Sequence, residues 1–181
     1  YYEVTEQHKI VDVSFLGELG MSSLTDRTLS VRQSGVEEDI PTTYVPARNL
    51  IFLSMATAYA EVKGAIAIFT GVSAVDYSGY PDCRPEFIRS LTETIILGTK
   101  LGVTSESKMN IQTPLIHMNK AETIKRGIDL GVPYHLTTSC YLGEEEACGE
   151  CDSCHLRLKG FQENGFEDPI CYKKIPEVFG G

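Results

Sequence analysis

The sequence predicts an α/β protein, a parallel sheet with crossover helices that carries a cysteine-rich appendage near its C-terminal end. Three observations lead there. Residues 65–72 form a short continuous apolar run of the kind found in strands covered on both faces. Segments with apolar residues at helical spacing lie on either side of it, each followed by a glycine suited to end a helix. Cys140, Cys148, Cys151 and Cys154 crowd into one short stretch.

The first element expected is a strand over residues 8–15, where Val11, Val13 and Phe15 alternate with polar neighbours. Residues 17–41 mix Ser, Thr, Gly and charges without a period and read as an irregular excursion. Residues 49–63 are apolar on nearly every face, which predicts a buried helix ended by Gly64. The strand at 65–72 follows, and then a polar segment, 73–84. Pro85 suits a first helical position, and Phe87, Ile88, Leu91 and Ile95 recur at intervals of three and four up to Gly98 or Gly102. A second, weaker strand is expected over 109–115. Asn119 with Glu122 three residues on makes a capping pair for a helix that ends at Gly131 and Pro133. In sheets of this kind ligands sit beyond the carboxyl ends of the strands, the place that 73–84 occupies. Neither a repeat nor a long linker divides the chain, so residues 1–181 read as one domain with an appendage at 140–160.

Charge and hydropathy exclude some functions. With 16 Lys and Arg against 25 Asp and Glu, the net charge of −9 repels a polynucleotide, although a local basic cluster can still hold a small anion. The most apolar stretch, 50–62, falls short of the roughly 20 residues of a membrane span, and Tyr1-Tyr2-Glu3-Val4 lacks the features of a signal peptide. Clustered cysteines in a chain without a secretion signal point to a reducing cytoplasm.

The four cysteines are spaced Cys-x7-Cys-x2-Cys-x2-Cys, which lets neighbouring thiolates reach one tetrahedral ion from tight turns, with Gly149 supplying one turn. Zinc suits such a set. Four protein ligands leave no open position, so the site reads as structural, with an iron–sulfur cluster as the competing use. Cys171 reads as a buried, inert thiol. Cys83, between Asp82 and Arg84, reads either as another such thiol or as a nucleophile activated by the adjacent cation.

The polar segment is dense in hydrogen-bonding groups. Asp76 or Asp82 can accept from the N–H edge of a purine-like base, Tyr77 or Tyr80 can stack on it, and Arg84 can grip a carboxylate with two N–H bonds. The same composition also suits a solvated turn.

Three motifs carry a resemblance. Tyr44-Val45-Pro46-Ala47-Arg48-Asn49, Asp76-Tyr77-Ser78-Gly79-Tyr80-Pro81-Asp82-Cys83-Arg84-Pro85-Glu86-Phe87 and Cys148-Gly149-Glu150-Cys151-Asp152-Ser153-Cys154 resemble the 7-cyano-7-deazaguanine synthase family. Thr113-Pro114-Leu115, Asn119-Lys120-Ala121-Glu122 and Leu156-Arg157-Leu158-Lys159-Gly160-Phe161 extend the similarity from about Ile10 to near Tyr172. The resemblance implies an adenine-nucleotide alpha-hydrolase-like fold, one structural zinc per subunit, a homodimer and a place in queuosine and archaeosine precursor synthesis. The implied activity is that of an ATP-dependent carbon–nitrogen ligase. It joins 7-carboxy-7-deazaguanine and ammonia through adenylate and amide intermediates to give 7-cyano-7-deazaguanine, with Mg2+ accompanying the nucleotide. Arg48, Asn49, Asp76, Tyr77, Tyr80, Asp82 and Arg84 become the substrate-binding candidates, and Lys120 the candidate for the nucleotide phosphates.

The chain departs from the family pattern in one respect. The Ser-Gly-Gly-x-Asp-Ser loop that wraps the ATP pyrophosphate does not occur between Tyr1 and Gly181. This leads us to expect roughly 30 to 60 further residues before Tyr1, enough for a strand, that loop and a helix. Two other readings share parts of the pattern: a zinc-containing ATP-pyrophosphatase such as a tRNA thiolase or amide ligase, and a non-catalytic zinc-stabilised binding module.

Overall fold

In a computed structural model the chain is described over residues 8–31, 40–75, 79–143 and 145–180. Helix α1, Phe15–Glu18, comes first and α2, Arg48–Lys63, second. Strand β1, Ala67–Phe69, leads through a 3₁₀ turn at Pro81–Cys83 into α3, Pro85–Gly98, and the short α4, Lys100–Thr104. Strand β2, Asn110–Gln112, then precedes α5, Lys120–Asp129, a 3₁₀ turn at Tyr134–Leu136 and α6, Asp152–Glu163. No helix among the described residues is long and apolar enough to cross a membrane.

The two strands pair in parallel, with Ile68 opposite Ile111. The ladder continues irregularly past both ends, through Asn110 N–H to the Ile66 carbonyl at 2.9 Å and Thr70 N–H to the Gln112 carbonyl at 3.0 Å. Parallel strands need a crossover, and α3 with α4 supplies it. Thr99 separates these two helices: its extended backbone ends α3, and its hydroxyl accepts from Gly102 N–H to start α4. The apolar stripe of α3 buries Ile88, Leu91 and Ile95 against Ile68, Ile111 and the wholly buried Met109. Each such side chain contributes about 1.5–3 kcal/mol on leaving water.

Three expectations from sequence are corrected. Residues 8–13 form no strand. Ser14 N–H donates to Asp12 Oδ1 at 2.8 Å, which turns the chain into α1, and Ile10 is 86% exposed with no neighbouring strand among the described residues to cover it. Helix α2 is not buried all round: Leu53, Thr57 and Ala60 face the core, while Leu50, Phe52, Tyr59 and Val62 are exposed. Strand β1 is covered on one face, with Ile68 buried and Phe69 73% exposed. Continuous apolar runs record composition, not which face has a neighbour.

The helix ends follow the sequence closely. Gly64 has φ 66°, and its N–H returns to the carbonyls of Ala60 and Glu61. Asn119 accepts from Glu122 N–H while the Glu122 carboxylate accepts from Asn119 N–H, so the expected capping box is complete. Helices α5 and α6 pack together at Gly160, where an added Cβ would stand 2.8 Å from Ile124 Cδ1 and 3.0 Å from Lys120 Cγ. Tyr134 meets Phe161 of α6 edge to face, with ring centroids 5.1 Å apart.

Candidate functional site

The four cysteines come together from three pieces of chain. Cys140 lies in the extended stretch after Leu136, Cys148 follows the bridge between Ala147 and Tyr172, and Cys151 and Cys154 flank the start of α6. Gly149 makes the turn between Cys148 and Cys151 at φ 78°, where a Cβ would overlap the Lys174 carbonyl. All four Sγ atoms lie within 4.8 Å of one another. Cys148 Sγ is 3.8 Å and Cys151 Sγ 3.5 Å from Cys154 Sγ. Zinc–sulfur bonds of about 2.3 Å put tetrahedral ligands about 3.8 Å apart, so this set fits a metal ion.

Backbone donors prepare the sulfurs for negative charge. Cys148 N–H points to Cys140 Sγ at 3.4 Å, and the N–H groups of Glu150 and Cys151 point to Cys148 Sγ at 3.4 and 3.3 Å. The hydrogen bond shared with Cys154 draws the Cys151 thiol down to about 4 despite its burial. The same hydrogen bond, with burial, pushes Cys154 up. A proton held between two sulfurs is one that a cation can replace.

The C-terminal tail closes this centre. Ala147 N–H donates to the Cys171 carbonyl at 3.0 Å, and Lys173 N–H donates to the Ala147 carbonyl at 2.9 Å. Beneath them Asp168 Oδ2 accepts from Arg157 Nε at 2.6 Å and from the Tyr172 hydroxyl at 2.7 Å. The Arg157 and Asp168 side chains are 7% and 1% exposed. Cys171 itself is exposed, which corrects the expectation of a buried thiol: its backbone, not its sulfur, serves the fold.

The second cluster gathers at the start of α2. Asn49 N–H donates to Asp82 Oδ2 at 2.9 Å, and Asn49 Nδ2 donates to Cys83 Sγ at 3.2 Å. Asp82 is 6% exposed, and its Oδ1 has no hydrogen-bond partner among the described residues. Tyr80 is also buried; its hydroxyl donates to Thr43 Oγ1 at 2.8 Å. Its ring lies 5.7 Å from that of Tyr44 and 5.8 Å from the Arg48 guanidinium carbon. Arg84 is exposed at the cap of α3. Arg48, Asn49, Tyr80, Asp82 and Arg84 therefore share one corner, whereas Asp76 and Tyr77 lie outside the described residues. Lys120 begins α5 with its stem over Gly160. The segment before α5 is tied to the end of β1 by Ser73 Oγ donating to the Met118 carbonyl at 2.9 Å.

Thr43, Asp168 and Tyr172 escaped the reading from sequence, and Tyr44 and Arg157 stand in its motifs without a role. Thr43 meets Tyr80 37 residues on and Arg157 meets Asp168 11 residues on, and a lone Thr, Tyr or Asp carries no local signal of such a bond.

A parallel α/β core with two strands among the described residues, a polar corner after the first of them and four clustered cysteines closed over by the tail define an α/β protein with an appendage that could hold a metal ion. The family model described as queuosine biosynthesis protein QueC matches residues 1–165. The 7-cyano-7-deazaguanine synthase of Oceanobacillus iheyensis is 60% identical over 172 residues, covering 95% of this chain and 76% of the relative. That of Thermoplasma volcanium is 54% identical over 181 residues, covering 99% and 73%. That of Acetivibrio thermocellus is 56% identical over 172 residues, covering 95% and 75%. The chain belongs to the QueC family of queuosine biosynthesis, whose fold is adenine-nucleotide alpha-hydrolase-like.

Proposed function

We propose that the protein is an ATP-dependent carbon–nitrogen ligase that converts 7-carboxy-7-deazaguanine and ammonia to 7-cyano-7-deazaguanine. The observation that carries this reading is the buried Asp82 carboxylate. One of its oxygens is engaged by Asn49 N–H, and the other is without a partner among the described residues. A carboxylate is a poor electrophile, and adenylation gives it a leaving group. A carboxylate oxygen attacks the α-phosphorus of ATP and pyrophosphate leaves. Ammonia then adds to the acyl carbon, and AMP departs to give the amide. A second ATP adenylates the amide oxygen, again releasing pyrophosphate. Loss of AMP and the two amide protons leaves the nitrile.

In this reading Arg84 pairs with the substrate carboxylate and Asp82 Oδ1 accepts from the base edge. Asp76 and Tyr77 complete that edge, and Arg48, Asn49 and Tyr80 hold the corner in shape. Lys120 faces the nucleotide phosphates, with Mg2+ accompanying them. Cys140, Cys148, Cys151 and Cys154 would hold one zinc ion, which supplies folding energy and no reaction step. We further propose that residues 1–181 form one domain with the appendage at 140–160, within a cytoplasmic homodimer that binds neither nucleic acid nor membrane.

The test uses full-length protein with 7-carboxy-7-deazaguanine, ATP, Mg2+ and ammonium, with mass spectrometry of the base and separate assay of AMP and pyrophosphate. The expected result is nitrile formation with AMP and pyrophosphate as coproducts. Arg84→Lys should weaken substrate binding by about tenfold or more, because an ammonium cannot reproduce a two-pronged guanidinium contact. Coproducts of ADP and phosphate, or unchanged affinity in that variant, would count against the chemistry and against Arg84 respectively.

A further inference from the structure

Helix α2 begins on a left-handed residue, whereas α3, α5 and α6 begin on extended ones. Its N-cap, Ala47, stands at φ 57° and ψ 17° and has no side-chain acceptor to offer. An N-cap is ordinarily an extended Ser, Thr, Asp or Asn that takes one of the first free N–H groups of its own helix. Here the acceptor comes from another part of the chain: Asp82 Oδ2, 33 residues on, takes Asn49 N–H at 2.9 Å.

The turn that leads into α2 accounts for the backbone at Ala47. The Val45 carbonyl accepts from Arg48 N–H at 3.2 Å across Pro46 and Ala47. Proline in the second position and a positive φ in the third are the marks of a type II turn, whose third position normally holds Gly or Asn. Alanine has a Cβ, which the left-handed region penalises. What opposes that penalty is the Tyr44 hydroxyl, which accepts from Ala47 N–H at 3.0 Å. A return of Ala47 to negative φ turns its N–H away from that oxygen and changes the frame from which Arg48 and Asn49 start the helix.

Tyr44 is itself seated on the turn that carries Asp82. Its N–H donates to the Pro41 carbonyl at 2.9 Å, and its ring centroid lies 5.7 Å from that of Tyr80. The preceding residue, Thr43, accepts from the Tyr80 hydroxyl at 2.8 Å, and both partners are buried. The ring of Tyr44 thus rests on the residue that opens the 80–83 turn, and its hydroxyl reaches the residue that opens α2.

We propose that Tyr44 is a positioning residue: its hydroxyl holds Ala47 left-handed and so aims the start of α2, with Asn49, at Asp82. The free Asp82 oxygen is then presented in one orientation. The consequence for substrate affinity rests on the proposed function of that corner, whereas the positioning of Asn49 against Asp82 does not.

The test compares two variants of the full-length protein with the parent by amide hydrogen exchange. Tyr44→Phe keeps the ring against Tyr80 and removes only the acceptor. The Asn49 amide should then exchange about fivefold faster, the loss expected for one neutral hydrogen bond, with the amides of α3 unchanged. Adding Ala47→Gly lifts the penalty on positive φ, so the turn no longer depends on the hydroxyl. In the double variant the Asn49 amide should return to the parent's rate, a rescue that a hydroxyl serving only packing would not show. Unaltered exchange at Asn49 in Tyr44→Phe, or no recovery in the double variant, overturns the proposal. Should Tyr44→Phe alone fail to fold, a folded double variant with the parent's exchange at Asn49 supports the proposal, and any other result overturns it. With 7-carboxy-7-deazaguanine added, Tyr44→Phe should bind about fivefold more weakly than the parent and the double variant equally well. Equal affinity in Tyr44→Phe and the parent would overturn the role in substrate binding. A parent that does not bind the base removes the proposed function and leaves the exchange results, and the positioning, standing.

Discussion

Replacing Asp168 with Asn tests what holds the tail over the metal centre. The two Asp168 oxygens accept four hydrogen bonds: from Arg157 Nε at 2.6 Å and the Tyr172 hydroxyl at 2.7 Å on one, and from Arg157 Nη2 at 2.9 Å and Ile170 N–H at 3.3 Å on the other. Asn keeps the shape but has one acceptor oxygen, and it turns an NH2 group toward donors. The larger loss is electrostatic, because Arg157 stays charged at 7% side-chain exposure without its counter-ion. What remains to it are Thr137 Oγ1 at 2.8 Å, the Tyr134 carbonyl at 3.3 Å and two aromatic rings. Breaking a buried pair from one side costs about 3–5 kcal/mol. For a chain of this size that lowers the melting temperature by about 6–20 °C. Thermal unfolding of zinc-loaded protein followed by circular dichroism reads this directly. Arg157→Met added to Asp168→Asn should recover part of the loss, since the double variant leaves no unpaired charge. A melting temperature within about 2 °C of the parent in Asp168→Asn would refute the reasoning, because a buried uncompensated guanidinium cannot be that cheap.

Other expectations follow from the same geometry. Cys154→Ser should lose zinc by elemental analysis and melt at lower temperature, since metal-binding free energy adds to folding in such appendages; an unchanged melting point after metal loss would contradict the structural role. Gly160→Ala forces α5 and α6 apart and should cost about 1–3 kcal/mol in urea unfolding, with no loss of stability being the contrary result. Burial, partly offset by Arg157, holds the Tyr134 phenol above its ordinary value. The unfolded chain therefore releases that proton near pH 10 while the folded chain keeps it, so its contribution is full below about pH 10 and fades above it. Urea titrations at pH 8 and pH 11 should show a smaller decline in Tyr134→Phe than in the parent, and an equal decline would remove Tyr134 from the account.

Much of the architecture was legible because it is written in local signals. Ile68 and Ile111 sit in short apolar runs, Gly64 ends α2, Asn119 and Glu122 cap α5, and the cysteine spacing assembles the thiolates. The corner was legible as a set of polar side chains. Its internal bonds were not, because Asn49 and Asp82 are 33 residues apart and nothing in either neighbourhood specifies the other. The same limit hid Arg157 with Asp168, since a charged pair reads as surface until burial is known. Alternation at Val11 and Val13 misled for the opposite reason: a period of two states which side chains share a face, but a strand also needs a neighbour to accept its backbone bonds.

The tail that closes the metal centre also sets an order of events. A chain made from its N-terminus presents Cys140, Cys148, Cys151 and Cys154 before it presents Asp168 and Tyr172. During that interval the four thiols can meet an ion, but Ala147 still lacks the carbonyl of Cys171, and Arg157 lacks its carboxylate. Metal captured in that interval would be held without those closing bonds, and the last of them would come from residues 168–174, a stretch of chain that supplies none of the ligands.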